Sequence, residues 1–238
     1  MALQSSHLKR PIIVAVDGPA GSGKSSICAQ VCRDLDWSYV NTGALYRVLA
    51  LVLAERKVSH ENSAELRSVL IEFSSKVKWQ HKTGKIFIGE VDYTPLLGSV
   101  EAASGASKVA KIPQIREALL PIQRDLSLSA PIGVIVDGRD IGTVVFPDAD
   151  VKIFMTASIE QRARRRLAQL ISDGASSVTL SLADIMKTIG DRDLQDSQRE
   201  TAPMTMASDS VMFDTSNMDI QESIVALKTL LKTRGLCP

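Results

Sequence analysis

Unbroken apolar runs that end in a polar residue alternate along the chain with stretches whose apolar positions recur every three or four residues. The runs are PIIVAVD (11–17), PIGVIVD (131–137), DVKIFM (150–155) and SVMFD (210–214), with the shorter WSYV (37–40) as a fifth. Continuous apolarity of this length, bounded by turn residues, predicts strands covered on both faces, as in a parallel sheet. Helical periodicity fills 24–35, 44–57, 61–73, 114–128, 158–171 and 219–234, the last ending before Gly235. Strand alternating with helix predicts an α/β fold built on a parallel sheet.

Two stretches depart from the alternation. KVKWQHKTGKIFIGEVDYT (76–94) has period-two patches on either side of HKTGK, which predicts a hairpin and hence a small β insertion in the α/β core. ISDGASSVTLS (171–181) is rich in serine and reads as a mobile loop. No internal repeat is present.

Composition narrows the function classes. At 238 residues and 45% hydrophobic the chain has enough apolar content for one large domain with outgrowths. Its 28 Lys and Arg against 27 Asp and Glu leave a net charge of +1, so no global attraction draws it to nucleic acid or an anionic membrane, and any basic site is local. Of the three cysteines, Cys28 and Cys32 fall four apart in a predicted helix, which suits small buried residues better than a disulfide or a metal site and fits a reducing cytosol. No apolar run approaches the roughly 18 residues of a membrane span, and MALQSSHLKR lacks the apolar stretch of a signal peptide. The expectation is a cytoplasmic protein, monomeric for want of a separate oligomerisation segment.

The strongest chemical signal is GPAGSGKS (18–25), which matches G-x-x-x-x-G-K-S/T directly after a predicted strand and before a helix opening with SSICAQV. In that setting Gly18, Pro19, Ala20, Gly21, Ser22, Gly23, Lys24, Ser25 and Ser26 form a phosphate cradle. Backbone N–H groups converge on phosphate oxygens, Lys24 reaches the β- and γ-phosphates of a nucleoside triphosphate, and a serine hydroxyl can ligate Mg²⁺. Ser25 and Ser26 are both open for that last role. The loop is expected to face solvent. Asp137, closing another predicted strand in VDGRDIG, sits where a carboxylate would orient the metal through water.

The use of the triphosphate is narrowed by what else the chain carries. The asparagines are Asn41, Asn62 and Asn217 and none precedes a lysine, which disfavours guanine-reading GTPases, and the chain is small for a motor or transporter ATPase. Arg162, Arg164, Arg165, Arg166, Arg192 and Arg199 all fall between 158 and 200, after a strand whose C-terminal end is where an α/β sheet holds ligand. Arginines there suit the anionic transition state of phosphoryl transfer. His7, His60 and His81 lie away from these motifs and read as surface residues, so no histidine stands ready to deprotonate a hydroxyl. An acceptor that is itself a phosphate needs no such base. A kinase acting on a small-molecule hydroxyl, with an aspartate as base, remains the alternative enzyme, and a regulatory module that only binds a triphosphate the alternative outside catalysis.

NTGALYR (41–47), VDGRDIGTVVFPDADVKIFMTAS (136–158) and the RD..D..R spacing of 192–199 make the chain resemble the bacterial cytidylate kinases, among the nucleoside monophosphate kinases, over about residues 11 to 232. The resemblance implies a three-layer P-loop kinase core with a five-stranded parallel sheet, an inserted β-containing acceptor domain and a helical lid. The core would comprise 11–59, 114–170 and 200–235, the acceptor insertion 60–113 and the lid 171–199. It implies transfer of the γ-phosphoryl group of ATP, with Mg²⁺, to CMP or dCMP. Thr42, Tyr46 and Arg47 would line the CMP pocket, with Arg47 near the acceptor phosphate. Ser107, Arg116 and Asp140 would face cytosine, whose exocyclic amine can donate to a carboxylate where uracil offers an acceptor. Arg139, Arg192 and Arg199 would gather phosphate and Asp196 would approach the sugar. Lys24, Arg139, Arg192 and, from the arginine run, Arg162, Arg165 or Arg166 would act on the transferring group, while Arg164 blurs which of the run points inward.

Overall fold

The computed structural model describes residues 10–59, 63–172 and 181–237. Its core is a five-stranded parallel sheet in the order β2–β6–β1–β7–β8, from β1 (Ile12–Asp17), β2 (Ser38–Asn41), β6 (Gly133–Asp137), β7 (Val151–Thr156) and β8 (Val211–Asp214). The period of two explains why the predicted runs are apolar throughout. Ile13 and Ala15 of β1, with Val40, Val134 and Val136, face α2 (Thr42–Glu55), α3 (Ala64–Lys76), α4 (Val100–Val109) and α5 (Pro113–Leu128). Val14 and Val16, with Tyr39, Ile135, Ile153 and Met155, face α1 (Lys24–Leu35) and α8 (Ile220–Thr233). Each fully buried aliphatic side chain of these strands contributes about 1.5–3 kcal/mol of transfer free energy.

The register brings the functional ends together. Asn41 pairs with Asp137, Val16 with Asp137 and Asp17 with Phe154, so the carboxyl ends of β2, β6, β1 and β7 form one edge beneath a shared crevice. Asn41 caps α2 by accepting from the Ala44 N–H at 3.3 Å, which starts that helix at Thr42, two residues before its apolar periodicity begins.

The hairpin is present within 76–94 and carries a third strand: β3 (Val77–Gln80), β4 (Lys85–Ile88) and the short β5 (Val91–Asp92) form an antiparallel sheet. Trp79 seats it on the core by donating its indole N–H to the Tyr39 carbonyl at 2.9 Å.

Three elements carry too weak a periodicity to be predicted. In α4 the run EAASGAS is nearly all small residues, because α4 lies so close to α2 that a Cβ on Gly105 would come 2.8 Å from that of Ala50. Helix α7 (Leu182–Ser197) is rich in Asp and interrupted by Gly190, and it is held against α6 (Ile159–Ser172) by Ile185 and Ile189 packing on Ala163. A single π-helical turn, Ile141–Val145, follows β6. Residues 173–180 of the predicted serine-rich loop lie outside the described residues, as do His7 and His60. His81 is half-buried, with its Nε2 3.0 Å from the Ser129 hydroxyl. Cys28 and Cys32 are free thiols buried on α1, as their spacing predicted. Among the described residues no helix is long and apolar enough to cross a membrane.

Candidate active site

At the end of β1 the chain turns through residues 18–23 into α1. Gly18 is required there: its φ is +139°, and a Cβ would come 2.0 Å from the Met155 carbonyl oxygen of β7. Gly23, at φ +94°, forms the N-cap of α1. The expectation that this loop faces solvent is met only in part. Gly21, Ser25 and Ser26 are exposed, but Ser22 and Lys24 are buried, because other elements grip the loop backbone. The Ser22 carbonyl accepts from the Thr215 hydroxyl at 3.0 Å and from Arg165 at 3.2 Å, and the Ala20 carbonyl accepts from Arg162 at 3.2 Å.

Lys24 Nζ donates to the carbonyls of Gly18 at 2.7 Å and Pro19 at 2.8 Å, and lies 3.3 Å from the Ser22 hydroxyl. Burial, with the Arg139 guanidinium beside it, pushes this ammonium down to about 7. A charged lysine held on neutral carbonyls is under-compensated, and anionic phosphate oxygens are the partners that would restore it.

Of the two serines open for the metal, Ser25 is the one that reaches Asp137: its Oγ donates to Asp137 Oδ2 at 2.6 Å. The Tyr39 hydroxyl donates to the same oxygen at 2.9 Å, and Thr42 Oγ1 donates to the Asp137 main-chain carbonyl at 2.9 Å. These are hard oxygen donors of the kind Mg²⁺ takes, and they sit where β6 and α1 converge. Among the described residues no group of three or more His, Cys, Asp or Glu is placed to hold a metal by itself, so a cation here would share its shell with phosphate and water.

Asp17, which the motif reading passed over, accepts from the Ile141 and Gly142 N–H groups, both at 2.7 Å, and so anchors the π-turn that follows Arg139 and Asp140. Burial raises its carboxyl to about 6 against the lowering effect of those two N–H groups. The available signal was its position: a carboxylate closing a central strand on the face opposite Val14 and Val16 must find donors inside the protein.

The residues expected on the acceptor side gather around the next layer. Asp140 and Arg116 form a buried ion pair, and Arg116 lies over the Tyr46 ring, 5.7 Å from its centroid. Burial raises the Asp140 carboxyl despite the opposing effect of Arg116. Arg116 also donates to the Ala110 carbonyl at 3.3 Å, tying α5 to the end of α4. Asp196, on α7, accepts from Arg139 at 3.0 Å and pairs with Arg199 at 3.1 Å. Arg47 donates to the Leu97 carbonyl at 2.9 Å. Ser107 is not joined to this group: its hydroxyl turns back to the Ala103 carbonyl at 3.3 Å, one turn earlier in α4.

Positive charge exceeds its local compensation. Burial first, and then the charge of Arg139, lower the proton affinities of Lys24, Arg47 and Arg192, the last to about 10. Among the described residues, buried Arg192 Nε finds no hydrogen-bond partner. Like charges crowded this closely, with Asp196 already shared between Arg139 and Arg199, make a receptor for anions.

The arginine run on α6 splits by direction. Arg164 pairs with Glu160 one turn earlier, at 2.7 Å, on an exposed face. Arg162 spends its donors on the Ala157 and Ala20 carbonyls and on Asp193. Arg165 bridges the P-loop to the chain after β8, donating to Ser22 O, Thr215 Oγ1, Thr215 O and Met218 O. Arg166 donates to Gln169 at 2.9 Å, one turn further along α6.

The model of the cytidylate kinase family matches residues 14–233. A cytidylate kinase of Aster yellows witches'-broom phytoplasma (strain AYWB) is 37% identical over 225 residues, covering 94% of this chain and 97% of the relative. Another, from Mannheimia succiniciproducens, is 39% identical over 217 residues, covering 91% and 94%. Among solved structures, an uncharacterized protein from Eubacterium ventriosum ATCC 27560 is similar with a TM-score of 0.51 at 10% identity, covering 94% of this chain and 99% of that one, a likeness of fold alone. The match runs from the middle of β1 to the last residue of α8, across the P-loop, the Asp137–Asp140 turn and the arginine layer alike, and on that footing the chain belongs to the cytidylate kinase family.

Proposed function

We propose that this chain moves the γ-phosphoryl group of ATP to CMP or dCMP, giving ADP and CDP or dCDP. The observation that carries the reading is the convergence of a P-loop with an under-compensated guanidinium layer at one sheet edge, so that two phosphate groups can face each other across it. A phosphate oxygen of the nucleoside monophosphate attacks the γ-phosphorus as the bond to the β–γ bridging oxygen breaks. The electron pair stays with ADP, and the acceptor oxygen is already anionic, so no protein base is needed.

In this reading the backbone of 18–26 and Lys24 hold the donor's phosphates. Ser25, with Asp137 through water, holds Mg²⁺, which supplies neutralisation of charge on the β- and γ-oxygens when bound. Arg47, Arg139, Arg192 and Arg199 hold the acceptor phosphate and the transferring group, Arg166 approaches from α6, and Arg162 reaches them once its contacts to Ala20 and Asp193 are exchanged. Thr42 and Tyr46 line the acceptor pocket and Asp196 takes the sugar. Arg116, Asp140 and Ser107 read cytosine, Ser107 after a rotation of its hydroxyl away from Ala103. Residues 60–113 serve as the acceptor-side insertion and 171–199, including α7, as the lid.

The test is ADP release with CMP, dCMP, UMP, AMP and shikimate as acceptors. CMP and dCMP should be turned over well ahead of UMP and AMP. Turnover of shikimate in preference to CMP would establish a hydroxyl kinase instead, and ATP binding without turnover of any acceptor a regulatory module.

A further inference from the structure

Tyr39 stands outside every motif, yet its hydroxyl donates at 2.9 Å to Asp137 Oδ2, the oxygen that also accepts Ser25 Oγ at 2.6 Å. The register explains the reach. Tyr39 pairs with Ile135 and Asn41 with Asp137 across β2 and β6, so the phenol starts two residues back from the sheet edge and runs along the α1 face toward it. The half-buried ring packs against the core formed with α1 and α8, and the Tyr39 carbonyl is held by the Trp79 indole from the antiparallel sheet.

A core tyrosine whose hydroxyl needs any acceptor would account for one such bond. Sharing the acceptor with Ser25 has a further consequence. Two donors on Oδ2 resist rotation of the carboxylate and leave Oδ1 as the oxygen presented to other partners. Ser25 meanwhile gives its single proton to Asp137, which leaves its lone pairs for a cation and makes them more basic.

From this we infer that Tyr39 is a positioning residue for the metal–nucleotide site: it holds Asp137 so that Ser25 and the water-mediated carboxylate present oxygens to Mg²⁺ in a fixed arrangement. The inference rests on the kinase reading for the identity of the cation but is tested without turnover.

Tyr39→Phe deletes one oxygen and keeps the ring that packs against the core. ATP affinity is measured by titration calorimetry on the CMP-free protein, with Mg²⁺ and with EDTA in its place. The variant should bind ATP in EDTA like the wild type but lose about tenfold of the tightening that Mg²⁺ brings, the lower end of what outer partners of metal ligands contribute. The Mg²⁺ concentration for half-maximal turnover should rise by the same factor, while KM for CMP stays unchanged. Equal loss of ATP affinity with and without Mg²⁺, or a lowered melting temperature with unaltered Mg²⁺ dependence, would overturn the inference and leave Tyr39 a supporting core residue. If no acceptor is phosphorylated, the function proposed above fails, and the calorimetric comparison still decides the role of Tyr39.

Discussion

Binding of a nucleoside triphosphate should draw a proton onto Lys24. In the free protein the ammonium is buried beside Arg139, bonded to the Gly18 and Pro19 carbonyls, and its pKa lies at about 7. Phosphate oxygens would replace neutral acceptors by anionic ones and move the group back toward the ordinary lysine range, about 10.4. The free protein therefore lacks about a tenth of this proton at pH 6, about half at pH 7 and about nine-tenths at pH 8, and binding restores it. By linkage, ATP affinity should fall with rising pH above 7, approaching a loss of about tenfold per pH unit. The stability of the free protein should move the other way. The unfolded chain keeps its lysine proton to about pH 10.4, so between about pH 7 and 10 it binds more protons than the folded protein, which gains stability as pH rises. The assay is calorimetry of ATP binding at pH 6, 7 and 8 in buffers of different ionisation enthalpy, on the wild type and on Lys24→Met, which keeps an apolar stem in the buried space. Subtraction removes protons released by the nucleotide itself. Equal proton exchange by the two proteins at pH 8 would refute the reasoning, whatever their affinities.

Other expectations follow from the neighbouring geometry. Asp17, raised from 3.8 to about 6, holds a proton in the folded state that the unfolded chain releases, so the wild type should lose up to about 3 kcal/mol relative to Asp17→Asn as pH rises from about 4 to above 6. Urea unfolding across that range checks it, and a pH-independent difference between the two proteins would contradict it. Asp140→Asn should lower kcat/KM for CMP by about 10- to 150-fold, through a lost charge-assisted hydrogen bond and a stranded Arg116. The CMP-to-UMP ratio of efficiencies should fall with it, and an unchanged ratio would remove Asp140 from base recognition. Arg164→Ala, which breaks only an exposed pair with Glu160, should leave kcat/KM within about twofold of wild type and stability within about 0.5 kcal/mol. Arg166→Ala should cost on the order of 100-fold in kcat if its charge serves the transferring group, and steady-state kinetics on the pair separates the two.

Much of this protein was determined by sequence alone, because the interactions concerned are local or periodic. A strand buried on both faces must be apolar at every position, and a loop of backbone N–H groups feeding a helix must place its glycines and lysine at fixed spacing; β1, β6, β7, β8 and the P-loop were legible for these reasons. What tertiary structure decided is where each polar side chain spends its bonds. Successive residues on a helix point about 100° apart, so the run from Arg162 to Arg166 necessarily aims in several directions, and only the packing of α6 sends Arg164 to solvent, Arg165 to Ser22 and Thr215, and Arg166 to Gln169. Lys24 is buried because residues about 140 to 190 positions away, Arg162, Arg165 and Thr215, draw the loop inward. Ser25 rather than Ser26 meets Asp137, Asp17 meets the Ile141 turn and Tyr39 meets Asp137 only once parallel strands from distant parts of the chain are in register. Helices α4 and α7 follow the same logic: small or acidic stretches carry little periodic signal, and they become helices because a neighbour close enough to need glycine, or an apolar face on α6, completes them.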